Sequence, residues 1–366
     1  MKRHAFLPYA LITAIMLLMP ACSGGYAPSP SGGEERRESA ENRTGAPYKI
    51  LAEDLETPWA IDFHGEVIFL SEREGNVVQI RDGEVSRRPV VTSKPIASIG
   101  EGGLLGFVLA PDYEESKAAF VYHTYEQDGA VKNRLVRLKE HATSWKETAS
   151  LLEDIPGSNV HNGGRIAIGP DGFLYVTTGD AGNGELAQDP ENLAGKILRI
   201  SLDGSVPSDN PMPDSYVYSF GHRNAQGLDW NSDGELYSSE HGPSGTPGGH
   251  DEINKIAAGR NYGWPAVIGD AKESGMEQPV YHTGETALAP SGVAFDEEDV
   301  LYVATLRGSK LYRYEPDKDE LEAVLEGEGR LRDVKVQNGR IYVITNNTDG
   351  RGVPGERDDR LLVLEI

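Results

Sequence analysis

Short apolar stretches separated by turn residues run along the chain from residue 48 to its end, and helical spacing is hard to find. One unit recurs six times: a turn that usually contains Gly or Asp, then a branched residue, an aromatic residue and alternating small residues. The six copies are GEVIFLSE (65–72), KAAFVYHT (117–124), DGFLYVTT (171–178), DGELYSSE (233–240), DVLYVATL (299–306) and NGRIYVIT (338–345).

A second short apolar stretch follows each copy and often carries a basic residue. These stretches are NVVQI (76–80), RLVRL (134–138), KILRI (196–200), EINKI (252–256), KLYRY (310–314) and RLLVL (360–364). Six strand pairs at intervals of about forty to sixty-five residues are typical of four-stranded propeller blades rather than of a sandwich. The pattern therefore predicts an all-β, six-bladed β-propeller with four-stranded antiparallel blades.

Residues 161–180, HNGGRIAIGPDGFLYVTTGD, have the pattern of one β-hairpin with PDG as its turn. If the loop spans 169–172, the register places His161 opposite Asp180, with β-carbons about 4.5–5.5 Å apart. A carboxylate there would bind one ring nitrogen and leave the other free to act as a base. A hairpin that merely ends in two polar residues is the alternative.

The first 47 residues differ from the rest of the chain. A basic start precedes the apolar run ALITAIMLLMPA, which is too short for a membrane span and has the pattern of a secretory signal. MPAC resembles a bacterial lipobox, although a plain signal peptide with an incidental cysteine is an alternative. We expect a lipoprotein-type signal peptide over 1–21, a lipidated Cys22 with a flexible linker over 22–47, and the propeller domain over 48–366. The protein would then be extracytoplasmic and attached to the cell membrane only by its lipid anchor.

The chain is strongly acidic, with a net charge of −23. Removing residues 1–21 takes away Lys2 and Arg3 and no acidic residue, so the net charge would become −25. Such a charge argues against nucleic acid as a partner, because phosphates would be repelled. Cys22 is the only cysteine, which excludes a disulfide or a thiolate metal site within the domain.

Polar residues lie among glycines in two further segments of the chain. SFGHRNAQGLDW contains Arg223 and Asn224, while GEGRLRDV contains Arg330 and Arg332. On a strand, residues two apart lie on one face, so Arg330 and Arg332 would repel each other unless an anion lies between them. Ion pairs with carboxylates of this acidic chain are the alternative.

A loop rich in Gly and Pro spans residues 238–265, SSEHGPSGTPGGHDEINKIAAGRNYGWP, and it predicts a different chemistry. It contains Glu240, Asp251 and Glu252 beside backbone carbonyls. Calcium takes about six to eight oxygen ligands, many of them from the main chain, so the loop is a candidate calcium site. An acidic surface loop without a metal is the alternative.

Nine motifs occur in one order over residues 50–366. They are GEGGLLGF, HNGGRIAIGPDG, TGD, GHRNAQGL, EHGP, DEIN, NYGWP, RLRDV and TNNTDGRG. Together they resemble the glucose/sorbosone dehydrogenase family, the soluble aldose sugar dehydrogenases that depend on pyrroloquinoline quinone (PQQ). The fold of that family is a six-bladed propeller.

The resemblance implies roles for the histidine and its neighbours. His161 would be the general base that takes a proton from the anomeric hydroxyl of the sugar while hydride passes to C5 of the quinone. Asp180 would orient His161. Arg223 and Asn224 would lie beside the reactive quinone carbonyl, where negative charge develops.

The resemblance also implies cofactor-binding residues. Arg330 and Arg332 would hold carboxylates of PQQ, which has three of them. Two positions depart from the family: Glu101 stands where glutamine is usual, and Arg307 stands where lysine is frequent. Glu101 adds a negative charge beside an anionic cofactor, whereas Arg307 keeps the positive charge.

Two calcium sites are implied in the same way. The backbone carbonyls of Gly242 and Pro243 would bind a calcium that also binds and polarises the cofactor. Glu252 and Tyr262 match positions that bind a second, structural calcium in some members of the family.

The expected function is therefore that of a quinoprotein oxidoreductase that converts aldoses to lactones and passes electrons to an external acceptor. The connections between the strands look short compared with glucose-specific members of that family, which carry long insertions, and this favours an open site and broad aldose specificity. A propeller lipoprotein that binds a sugar or another ligand and has lost PQQ is an alternative, favoured by Glu101. A calcium-dependent lactonase is another alternative, and it would need several carboxylates converging on the channel.

Overall fold

The computed structural model describes residues 48–365 except 246, 247, 317 and 319. The signal peptide predicted over 1–21, Cys22 and the linker predicted over 22–47 lie outside the described residues. Residues Ala46–Ile366 form one compact unit. Among the described residues, no helix has both the length and the hydrophobicity that crossing a membrane requires.

Strands dominate the described part of the chain, and two four-residue helices, α1 (Tyr113–Ser116) and α2 (Glu185–Gln188), accompany them. The strands are β1 (Tyr48–Ala52), β2 (Pro58–His64), β3 (Val67–Glu72), β4 (Asn76–Arg81), β5 (Glu84–Val91), β6 (Leu104–Leu109), β7 (Ala118–Gln127), β8 (Ala130–Glu140), β9 (Trp145–Pro156), β10 (Ile166–Ile168), β11 (Leu174–Thr178), β12 (Lys196–Ile200), β13 (Val217–Phe220), β14 (Ala225–Trp230), β15 (Leu236–Glu240), β16 (Glu252–Ile256), β17 (Tyr281–His282), β18 (Pro290–Phe295), β19 (Leu301–Thr305), β20 (Lys310–Glu315), β21 (Glu320–Glu326), β22 (Leu331–Gln337), β23 (Arg340–Thr345) and β24 (Leu361–Glu365).

Four of the sheets are four-stranded: β10–β13, β14–β17, β18–β21, and β22–β24 completed by β1. The amino-terminal strand β1 therefore pairs with the carboxy-terminal strand β24, with Tyr48 opposite Leu364. The fifth sheet has eight strands in the order β2-β3-β4-β5-β9-β8-β7-β6. Only two parallel residue pairs between β5 and β9 join its antiparallel halves. Strands β2, β6, β10, β14, β18 and β22 contact one another in a closed cycle. We call these six the inner strands, and the region that the cycle surrounds the channel.

The twelve segments predicted from the repeat all form strands, so that part of the all-β prediction is confirmed. The predicted hairpin register is wrong by one residue, because Ile168 pairs with Leu174 and the loop spans 169–173 rather than 169–172. The physical reason is a local turn in which the carboxylate of Asp171 accepts the N–H of Phe173, which keeps Phe173 out of the strand.

Aspartates connect neighbouring inner strands. Each of them accepts a hydrogen bond from a backbone N–H on the next inner strand of the cycle. The pairs are Asp62 with Leu109, Asp229 with Phe295, and Asp333 with Ile61. Because neighbouring inner strands do not share a backbone ladder, these side chains satisfy N–H groups that would otherwise be buried without partners.

Asp333 is the most connected of the three aspartates. Its carboxylate forms an ion pair of 2.9 Å with Arg165, and both side chains are buried. The Arg165 guanidinium also donates to the carbonyl of Gln226 and lies 4.2 Å from the centre of the Trp59 ring. Gly292 leaves the space for the carboxylate, since a β-carbon there would lie 1.9 Å from Asp333 Oδ1. This ion pair therefore connects β22 with the residue that precedes β10.

We expect D333N to lower the free energy of unfolding by about 3–5 kcal/mol, because Arg165 would be left buried without a counter-charge. Asparagine keeps an oxygen that can accept the N–H of Ile61, so the decrease in unfolding free energy would come mainly from loss of the ion pair. Urea denaturation followed by circular dichroism measures it. The control is E322Q, which removes the exposed partner of Arg313 and should cost less than about 1 kcal/mol. Equal, small losses in both variants would contradict the prediction.

Candidate active site

His161 and Asp180 lie in direct contact, with His161 Nδ1 2.7 Å from Asp180 Oδ1. Because the hairpin register differs from the predicted one, the strand ladder does not bring them together. The backbone of residues 161–164 does so, since His161 has a φ of +54° and two glycines with positive φ follow it. Gly179 permits the approach, because a β-carbon there would lie 1.9 Å from the carbonyl oxygen of His161.

The Asp180 carboxylate is held by more than the histidine. Oδ1 also accepts the N–H of Gly182 at 2.7 Å, and Oδ2 accepts the indole N–H of Trp264 at 2.9 Å. The backbone N–H of Asp180 donates to the carbonyl of Arg223 at 2.8 Å. With a proton on His161 Nδ1 facing this fixed carboxylate, Nε2 is left free to accept a proton.

Glu101 contacts the same histidine through the backbone. Its Oε2 accepts the N–H of His161 at 2.9 Å, and its Oε1 forms an ion pair of 2.7 Å with Arg351. Burial alone would raise the pKa of Glu101, but the N–H of His161 and the Arg351 guanidinium hold that pKa below its usual value. Arg73 supports the loop by donating to the carbonyl of Gly102 at 2.8 Å. Glu101 is therefore ionised, and its charge is compensated by Arg351.

Arg223 and Arg332 are buried without a carboxylate at ion-pair distance among the described residues. Arg332 donates to the side-chain oxygens of Gln226 at 2.8 Å and Asn346 at 3.1 Å, both of which are neutral. Burial lowers the pKa of Arg332 to about 9, although Asp349 attracts the guanidinium from a longer distance. Such arginines provide positive charge that an anionic ligand can use.

Arg223 lies beside the His161–Asp180 pair. Its guanidinium donates to the carbonyl of His241 and to the hydroxyl of Ser244 at 2.9 Å. The guanidinium carbon is 5.3 Å from the ring centre of Trp264. Trp264 therefore contacts both Arg223 and Asp180.

Arg330 and Arg307 differ from Arg332. Arg330 already has a counter-charge, because its Nη2 lies 2.8 Å from Asp349 Oδ2. Arg307 is exposed after β19. The structure therefore brings Arg330 and Arg332 together, and of these two only Arg332 is without a carboxylate partner in the described region.

Two buried polar atoms near these arginines have no hydrogen-bond partner among the described residues: Asn224 Nδ2 and His241 Nε2. The oxygen of Asn224 accepts the N–H of Gly163 at 3.0 Å, which leaves the amide nitrogen as a free donor. Buried polar groups in proteins are nearly always hydrogen-bonded, so unpaired ones at one place indicate a ligand site.

Only some of the predicted calcium-binding residues have an oxygen atom that is not already hydrogen-bonded within the described part of the chain. The carbonyls of Gly242 and Pro243 accept no hydrogen bond from a backbone N–H of the described residues, so neither oxygen is occupied by a backbone donor. Burial raises the pKa of Glu252 to about 8. The Tyr262 hydroxyl is already paired with backbone groups of residues 255 and 257. Among the described residues, no three His, Cys, Asp or Glu side chains form a group that could hold a metal ion.

Three residues of the site were not assigned a role from the sequence: Trp264, Arg351 and Arg73. Trp264 lies in the motif NYGWP and Arg351 in TNNTDGRG, so their motifs were a signal even though the contacts were not evident. Arg73 lies in SEREGN, which carried no such signal.

Comparisons with known proteins agree with this geometry. Residues 55–357 match the family model described as Glucose / Sorbosone dehydrogenase. Quinoprotein glucose dehydrogenase B of Acinetobacter calcoaceticus is 30% identical over 331 residues, covering 80% of this chain and 67% of that protein. Aldose sugar dehydrogenase YliI of Escherichia coli is 29% identical over 342 residues, covering 82% and 90%. The PQQ-bound aldose sugar dehydrogenase of Streptomyces coelicolor superposes with a TM-score of 0.80 and 37% identity, covering 87% of this chain and 96% of that one. The chain belongs to the glucose/sorbosone dehydrogenase family.

Proposed function

We propose that this protein is a PQQ-dependent aldose sugar dehydrogenase that oxidises aldoses to lactones and passes the electrons to an external acceptor. The observation that carries the proposal is the position of buried arginines without carboxylate partners beside a histidine–aspartate pair. The similarity to a quinoprotein and to a PQQ-bound dehydrogenase supports the same assignment.

Electrostatics favours an anionic cofactor. The chain has 58 acidic residues against 35 basic ones, yet the guanidinium groups of Arg223 and Arg332 have only neutral hydrogen-bond partners in the described region. A buried guanidinium is stabilised by a charged acceptor, and carboxylates suit its geometry best. PQQ has three carboxylates, so Arg332, with Arg330 beside it, would hold one end of the cofactor.

The residues present also fit the quinone end of the cofactor. When bound, PQQ supplies a quinone that accepts hydride at C5 from C1 of the sugar. The free amide nitrogen of Asn224 and the guanidinium of Arg223 would donate hydrogen bonds where negative charge develops. Neither group needs to break an ion pair in the described region to do so.

His161 and Asp180 supply the acid–base step. Nε2 of His161 would take the proton from the C1 hydroxyl as the C1–H bond gives up its hydride, which leaves a carbonyl at C1 and therefore a lactone. Asp180 keeps the ring oriented and stabilises the imidazolium through the 2.7 Å contact with Nδ1. Trp264 prevents the carboxylate from turning away.

Calcium is part of the proposal. The carbonyl oxygens of Gly242 and Pro243 are hard ligands of the kind that calcium prefers. A calcium ion at those carbonyls would add a Lewis acid at the cofactor. A second calcium at Glu252 and Tyr262 would have to use the carboxylate of Glu252, because the Tyr262 hydroxyl is already satisfied.

The blade count and the cellular location belong to the same proposal. The two-residue junction between β5 and β9 and the closed cycle of six inner strands support six four-stranded blades. The signal peptide over 1–21, the lipid anchor at Cys22 and an extracytoplasmic position stay predictions from the sequence.

The two alternatives gain no support from the site. Glu101 favoured a binding protein that has lost PQQ, but its charge is compensated by Arg351. A lactonase would need several free carboxylates converging on the channel, but the two carboxylates that contact His161 are already engaged, Asp180 by the histidine itself and Glu101 by Arg351.

The direct test is reconstitution of the purified protein with PQQ and calcium, followed by aldose-dependent reduction of an artificial dye. We expect saturable turnover with at least one of several aldoses. H161Q should lower kcat about 10²–10⁴-fold, because the general base is lost, while PQQ still binds. H141Q, at an exposed histidine after β8, is the control and should behave as the wild type. Absence of both PQQ binding and turnover in the wild type would contradict the proposal.

We expect W264F to lower kcat by about 10- to 100-fold with a smaller change in KM, because Asp180 loses a hydrogen bond to its charged form while the aromatic ring remains. Steady-state kinetics with the reconstituted enzyme measures both constants. W230F is the matched control, since the Trp230 ring packs edge-on against Tyr175, away from the hydrogen bonds of Asp180. A fall in kcat of equal size in the two variants would indicate general loss of packing instead.

Arg330 and Arg332 should differ in their effect on PQQ affinity. Removing Arg332 takes away the guanidinium without a carboxylate partner, so R332Q should weaken PQQ binding by about 10- to 100-fold. R330Q should weaken it less, because the charge of Arg330 is already compensated by Asp349. Calorimetric titration with PQQ measures both, after thermal unfolding shows that the variants are folded. The reverse order of the two affinities would refute this assignment.

A further inference from the structure

Glu101 places a carboxylate beside the arginines that would bind an anion, and both of its oxygens are engaged. One oxygen accepts the N–H of His161 at 2.9 Å, and the other lies 2.7 Å from the guanidinium of Arg351. The side chain of Glu101 is 24% exposed and that of Arg351 is 56% exposed. The pair therefore lies at the solvent side of the site.

The charge of Glu101 acts on the arginine cluster. Its carboxylate attracts Arg73 and Arg223 through space, which places it within the same electrostatic environment as the proposed cofactor site. Without a compensating cation, the carboxylate would repel an incoming anion and offset the attraction of those arginines. Arg351 supplies that cation from the loop between β23 and β24.

The Arg351 loop is itself tied to the cofactor arginines. The backbone N–H of Arg351 donates to Asp349 Oδ1 at 2.8 Å, and Asp349 Oδ2 accepts from Arg330 at 2.8 Å. A continuous set of contacts therefore runs from the backbone of His161 through Glu101, Arg351 and Asp349 to Arg330.

We propose that Arg351 is a positioning residue that compensates the charge of Glu101, and that the two side chains together determine the affinity of the site for its anionic cofactor. This inference rests on the proposed function. A neutral glutamine at position 101 would need no such partner. In this chain, glutamate at 101 and arginine at 351 act as one unit.

The pair should matter for binding rather than for folding. Arg351 is more than half exposed, and ion pairs with such exposed partners contribute little to stability. Variants at these two positions should therefore fold. Glutamine at position 101 still offers an oxygen to the N–H of His161, so E101Q removes the charge while keeping the backbone contact.

The experiment is a double-mutant cycle of PQQ affinity, measured by calorimetry with calcium present on the wild type, E101Q, R351Q and E101Q/R351Q. R351Q should bind PQQ about tenfold more weakly because Glu101 is left uncompensated. The double variant should return to within about threefold of the wild type, since neither charge remains. E101Q should bind at least as tightly as the wild type. The weakening in R351Q should shrink at high salt, where the repulsion is screened.

The matched control is R313Q, which also removes one positive charge and an exposed ion pair, with Glu322 on an outer strand. It should leave PQQ affinity unchanged. If the wild type binds no PQQ, both the proposed function and this inference are wrong. If the wild type binds PQQ and R351Q binds it equally well, or the double variant is as weak as R351Q, only the role of Arg351 is wrong.

Discussion

A buried guanidinium needs an anion close to it, and this constraint organises the channel of the protein. Asp333 is the anion beside Arg165, and their ion pair connects β22 with the residue before β10, although these two strands share no backbone ladder. Asp349 is the anion beside Arg330. Arg332, the residue before Asp333, has neutral side-chain partners instead, so it would offer its charge to a bound anion.

The proposed catalytic pair, His161 and Asp180, lies beside Arg223, which also has no carboxylate at ion-pair distance among the described residues. Asp180 is fixed by three hydrogen bonds to its carboxylate, and one of its partners, Trp264, also contacts Arg223. The base that would remove the proton and the cation that would face the developing negative charge are therefore positioned by one indole ring. Glu101 adds a backbone contact to His161, and Arg351 compensates its charge.

The strands could be predicted because the alternation of apolar and polar residues is a local property. The register of one hairpin could not, since an Asp171 side chain lengthens its turn by one residue. His161 and Asp180 were still correctly predicted to be neighbours. Arg330 and Arg332 of RLRDV looked equivalent in the sequence, because their spacing does not reveal that Asp349 forms an ion pair with Arg330 and not with Arg332. Trp264 could not be assigned to Asp180 from the sequence, because 84 residues separate them and only tertiary packing brings them together.

The most direct measurement is an absorbance spectrum of the protein mixed with PQQ and calcium, recorded before and after an aldose is added without any external acceptor. The account predicts that the wild-type protein shows the spectrum of the bound oxidised cofactor, which changes to that of the reduced cofactor on addition of the sugar. The same change should be nearly absent in H161Q. An unchanged spectrum after every aldose tried, or equally rapid reduction in H161Q, would contradict the central claim.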